Sequence, residues 1–81
     1  MTGAQVELLR AEQALAVYQD RYDRANLALK RHCAAVGALG EGERATPMDL
    51  SVLADLVAQV RRAEMEVGKM QLVVRQWAAA R

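Results

Sequence analysis

Few side chains in this 81-residue sequence could do chemistry, and their spacing decides what is open to them. His32 and Cys33 are the one histidine and the one cysteine, and they are adjacent. Neighbours on a helix point about 100° apart, so the two cannot jointly grip an ion. No Cys-x-x-Cys or His-x-x-x-His spacing completes a zinc site around either. His32 therefore reads as a packed histidine covering Leu53, with metal binding or pH sensing as the lesser alternative. Cys33 reads as a small apolar flank residue before it reads as a redox thiol.

The carboxylates offer no acid–base pair. Asp20 and Asp23 share a solvated face, Glu64 and Glu66 flank the apolar pattern differently, and no Glu-x-x-His exists for a di-iron bundle. The glycines at 37, 40 and 42 follow no strand, so they are not a phosphate cradle. With no activated nucleophile, tuned acid or cofactor cradle, the expectation is a non-enzyme with no catalytic, cofactor-binding or metal site. Basic residues cluster more than the net charge of +1 suggests: Arg10, Arg24 and Arg31 with Lys30 on one segment, and Arg61, Arg62, Lys69 and Arg75 on another. Ordinary surface charge is the first reading, and an acidic protein partner or nucleic acid are the alternatives. Neutralising a phosphate backbone needs a surplus of Lys and Arg, and no helix-turn-helix spacing is present, so a small nucleic-acid-associated regulator is the third reading, ahead only of an enzyme.

What positions all of these residues is a pair of heptad ladders. The first runs Ala4, Leu8, Ala11, Leu15, Tyr18, Tyr22, Ala25, Leu29, His32, Val36, Leu39; the second runs Leu53, Leu56, Val60, Ala63, Val67, Met70, Val74, Trp77. Every step is three or four residues, alternating without a slip, which predicts an all-α, coiled-coil-like antiparallel two-helix hairpin. The apolar fraction of 53% excludes a disordered chain, and the absence of Phe with few β-branched residues outside the second ladder argues against a sheet. One domain covers 1–81, with helix 1 over about 3–36, a glycine-rich loop over about 37–46 and helix 2 over about 47–79. Thr2 with Gln5 forms a capping-box pattern, and Gly37 is expected as a left-handed C-cap. Thr46 caps helix 2, Pro47 suits its first position, and Asp49 meets its dipole.

Pairing residues whose numbers sum to 85 matches the ladders layer by layer: Leu8 with Trp77, Ala11 with Val74, Leu15 with Met70, Tyr18 with Val67, Tyr22 with Ala63, Ala25 with Val60, Leu29 with Leu56 and His32 with Leu53. Several layers oppose a large and a smaller residue, as even packing requires. The predicted hairpin core is thus Leu8, Leu15, Tyr18, Tyr22, Leu29, Leu53, Leu56, Val60, Val67, Met70 and Val74. Arg21 falls near Glu66, an expected flank ion pair.

Apolar residues remain after the seam is filled. Ala58, Met65, Leu72 and Ala79 repeat every seven residues on the outer side of helix 2, with Gly68 and Val73 close by. Helix 1 adds Val6, Leu9, Val17 and Leu27. Gly68 in mid-helix costs about 1 kcal/mol relative to Ala, which invites close approach by another helix as its reason. The candidate partner interface is Met65, Gly68, Leu72 and Val73, with Trp77 either covering the core or anchoring the interface. A bare hairpin buries little, so dimerisation or a partner protein is expected to complete a helical bundle. No basic segment followed by an apolar run marks a signal peptide, and no apolar stretch suits a membrane span, so the expected setting is the cytoplasm without membrane contact.

The segments ELLRAEQALAVYQDRYDRANLALKR and MDLSVLADLVAQVRRAEMEVGKMQLVVRQW, joined by a polar glycine-containing loop, resemble the small helical-hairpin co-chaperones of bacterial type III secretion systems. The likeness spans most of the chain and consists of length, hairpin and pattern. It implies pairing with a tetratricopeptide-type chaperone to keep a needle subunit unpolymerised, and it assigns no functional residue. Needle subunits are also short hairpins, but their Pro-rich tight turn is missing from GALGEGERA. The expected function is a protein–protein interaction module, with a self-assembling phage or secretion-machine subunit as the alternative.

Overall fold

A computed structural model of the chain describes residues 2–39 and 44–80. Two α-helices, α1 (Gly3–Gly37) and α2 (Pro47–Ala80), pack against each other, and no strand occurs among the described residues. The protein is an all-α helical hairpin measuring 64 × 14 × 14 Å.

Local sequence explains where each helix begins. The Thr2 amide donates to Gln5 Oε1 (2.9 Å) and the Gln5 amide donates to Thr2 Oγ1 (3.2 Å), so both halves of the capping box form. The start of α2 closes in the same reciprocal way, with aspartate in place of the longer glutamate. The Asp49 amide donates to Thr46 Oγ1 (3.1 Å), while the Thr46 amide (2.8 Å) and hydroxyl (2.9 Å) both donate to Asp49 Oδ2. At the end of α1 the expectation of a left-handed Gly37 fails. The helix runs through Gly37, the C-cap is Ala38 at φ −85° and ψ 0°, and Leu39 N donates to the Val36 carbonyl at 3.2 Å. A tightened last turn satisfies the final carbonyls without a left-handed residue. Gly40 and Gly42 lie outside the described residues.

The ladders are the buried faces. Each ladder position from Ala4 to Val36 and from Leu53 to Trp77 is buried or half-buried, whereas Leu39 lies beyond the helix end and is exposed. Only Leu8, Ala11, Ala63 and Val67 are fully buried, at 5–9% exposure. In the register summing to 85, Ala63 and Val67 lie level with Tyr22 and Tyr18, and Leu8 and Ala11 with Trp77 and Val74. These four sites run from the open end to the middle of the hairpin.

The loop end is held differently. His32 Nε2 lies 2.9 Å from the Asp49 carbonyl oxygen. A carbonyl only accepts, so Nε2 carries the proton and donates. Asp49 lies one turn before Leu53, so this bond ties His32 to the first turns of α2, within a turn of the layer expected for it. Arg21 departs from expectation: its guanidinium carbon sits 5.2 Å from the Tyr18 ring centroid, and among the described residues it makes no ion pair with Glu66. Helical side chains lean toward the preceding turn, which carries Arg21 over Tyr18. The ion pairs found are Glu7–Arg10 (3.2 Å) and Asp20–Arg24 (3.0 Å), both exposed on α1 and each worth under about 1 kcal/mol.

Two outcomes check this fold. With Cys33→Ala as background, the pair Leu15→Cys and Met70→Cys should form an internal disulfide on mild oxidation. The pairs 15/63 and 15/77, each a heptad out of register, should not; crosslinking at either would replace the register. Separately, the hydrogen bonds from Thr46 hold the Asp49 carboxyl below its ordinary range, the backbone bond first and the hydroxyl bond second, and His32 adds to this against a smaller upward effect of burial. A depressed carboxylate stabilises the fold above its unfolded pKa and loses that contribution as pH falls through the folded value. Acid titration followed by circular dichroism should show part of the low-pH loss of helix disappearing in Asp49→Asn.

Candidate docking face

Once the seam is taken up, the largest exposed apolar side chains on the rest of the hairpin are concentrated on α2. Met65 is 63% exposed, Leu72 58% and Leu50 57%, with Ala54, Ala58 and Ala79 exposed as well; Met48, at 71%, stands apart from them in the first turn of α2. Stepped at four and seven residues, Leu50, Ala54, Ala58, Met65, Leu72 and Ala79 share the side of α2 that faces away from α1. An open apolar groove follows its first half, lined by Leu50, Leu53, Ala54, Val57, Ala58, Arg61, Arg62 and Met65. Every one of these residues is on α2, so the groove has no opposing wall within the hairpin.

The residues singled out as an interface divide into two groups. Met65 and Leu72 are exposed on the outward side; Gly68 beside them is half-buried, and a Cβ built on it would meet nothing within 4 Å. Gly68 thus accommodates no neighbour inside the hairpin. Val73 and Trp77 are half-buried, turned toward the flank of the seam. The groove from Leu50 to Val57 was not among the residues singled out. A seven-residue step back from Ala58 lands on Ser51, which ends the row. The apolar stripe continues instead through Ala54 and Leu50, because heptad steps drift about 20° around a straight helix of 3.6 residues per turn.

On α1 the outward apolar residues are scattered. Leu9, Val17 and Leu27 are 44%, 52% and 47% exposed, while Val6 is half-buried. Between them stand Asp20 and Arg24, paired with each other, and Asp23, which accepts a hydrogen bond from Gln19 Nε2 (3.2 Å). On α2, Arg61, Arg62, Lys69 and Arg75 are exposed. Of the α2 carboxylates, Asp49 is engaged by Thr46 and Glu66 is half-buried; none lines the groove.

Cys33 is exposed and free, and His32 donates to the Asp49 carbonyl, so the two have separate surroundings. Among the described residues no three His, Cys, Asp or Glu side chains converge as a metal site would require. No buried side-chain polar atom among them lacks a hydrogen-bond partner. No described helix is long and apolar enough to cross a membrane. No protein-family model, curated protein or solved structure matches the chain.

His32→Ala removes the side-chain bond between the loop ends of the two helices. The expected loss is about 1 kcal/mol, read as a lower midpoint in urea, with amides of Leu50 to Leu53 exchanging faster than those near Val67. Uniform acceleration along both helices would show that the bond is not a local clamp.

Proposed function

We propose that this chain is a non-enzymatic protein–protein interaction module that works by burying the outward face of α2 against a partner helix. The observation that carries the reading is the concentration of exposed Leu50, Met65 and Leu72 on one side of one helix, around a glycine with open space over it. A second support is area. A compact monomer of this mass exposes about 4800 Å². The hairpin exposes 6164 Å². The excess, roughly 1300 Å², exceeds the ~800 Å² that each partner contributes to an ordinary stable interface.

Helix-in-groove recognition fits this face, with anchors read at helical spacing. Within that reading, the resemblance to type III secretion co-chaperones gives a concrete form: a small cytoplasmic hairpin that shields an aggregation-prone partner. The same exposed area would serve a self-assembling subunit of a phage or secretion machine, in which the second hairpin completes a four-helix bundle.

Leu72→Asp and Met65→Asp test the reading. Each should leave the circular dichroism of the isolated chain unchanged and abolish co-purification of the partner from the native cell. Loss of helix in either would assign those residues to the hairpin core and end the proposal. Gly68→Ala gives an independent handle. In the isolated chain it should raise stability by about 1 kcal/mol, since an added Cβ meets nothing. If a partner helix approaches at Gly68, the same substitution should weaken the complex.

A further inference from the structure

Resting on that reading of α2, we propose that the groove from Leu50 to Met65 takes an acidic amphipathic helix from a different protein. Its apolar stripe would lie over Leu50, Ala54, Val57 and Met65, and its flanking Asp or Glu side chains would meet Arg61 and Arg62. The groove is apolar along its floor and carries two guanidinium groups and no carboxylate among its lining residues. Burying two arginines beside an apolar contact is costly unless they are paired, so the occupant must bring the carboxylates.

A second copy of this chain supplies them poorly. Laid on α2 of another copy, the groove would meet four Lys and Arg (Arg61, Arg62, Lys69, Arg75) against four Asp and Glu (Asp49, Asp55, Glu64, Glu66), of which Asp49 is already engaged by Thr46. Laid on α1, it would meet five Lys and Arg against four Asp and Glu, of which Glu7 and Asp20 already pair with Arg10 and Arg24. Neither helix of the hairpin presents a net acidic face. Arginine suits the heterotypic contact, because its planar donor fork binds carboxylate in a bidentate fashion and keeps its charge on desolvation.

The test uses the full chain and two designed peptides of about 28 residues, each with Leu at the a and d positions of four heptads. One carries Glu at every e and g position and the other carries Lys. Binding is read by fluorescence anisotropy at low and high salt, with sedimentation velocity of the chain alone. The Glu peptide should bind at least about tenfold more tightly than the Lys peptide, and lose that advantage at high salt. Arg61→Glu with Arg62→Glu, checked for unchanged helix content, should invert the preference. Equal binding of the two peptides, both lost in Met65→Asp, would overturn the acidic occupant and leave the docking face standing. A homodimer dissociated by Met65→Asp would identify a second copy as the occupant and overturn the proposal in the same way. Binding of neither peptide would also overturn it. The docking face itself falls if Leu72→Asp or Met65→Asp unfolds the hairpin, or if both variants still co-purify the partner.

Discussion

Everything in this protein follows from the limit on what two helices can enclose. A pair of helices shares one seam, and in a hairpin only 14 Å across in two directions few side chains can be surrounded on all sides. The four fully buried residues, Leu8, Ala11, Ala63 and Val67, mark the extent of the true core. Tyr18, Tyr22, Leu29, Leu56 and Met70 cover that core and remain partly wet. The hydrophobic contribution per residue is therefore small, and the ends of the helices must be secured by polar contacts whose individual worth is on the order of 1 kcal/mol. The Thr2–Gln5 and Thr46–Asp49 boxes and the His32–Asp49 bond are those contacts.

The two ends of the hairpin are stabilised by different means. The four buried residues run from the open end to the middle of the hairpin, in layers shared with Trp77, Val74, Tyr18 and Tyr22 in the register derived from the ladders. The loop end has half-buried Leu29, Val36, Leu53 and Leu56, together with an imidazole that bonds across the helices. Asp49 takes part in both polar devices: its side chain caps α2 and its carbonyl receives His32. The start of α2 is in this way fixed in direction by Thr46 and in position by α1.

Features governed by neighbours in sequence were legible before the fold was known. The heptad ladders gave the seam, and Thr2, Gln5, Thr46, Pro47 and Asp49 gave the helix starts, since capping acts within four residues. Features that depend on one side chain choosing among near-equal partners were not. Arg21 had Glu66 and Tyr18 within reach, and exposed interactions of under about 1 kcal/mol do not rank themselves from sequence. Gly37 looked like a left-handed cap, but a glycine permits that geometry without requiring it. His32 reaches across to α2 as expected, and its acceptor, the Asp49 carbonyl one turn before Leu53, carries no sequence signal at all. On the outward face, seven-residue counting found Met65 and Leu72, and helical drift concealed Leu50 and Ala54.

The central claim is that the seam alone leaves the hairpin short of burial, so that the outward face of α2 is a surface for a partner and not a solvated flank. Urea unfolding of the isolated chain at several protein concentrations measures this directly. The account predicts an unfolding free energy no greater than about 3–5 kcal/mol, independent of concentration, as expected for a chain of this size without a staple. A stability well above that range, equally independent of concentration, would show that the hairpin is complete by itself and would contradict the account.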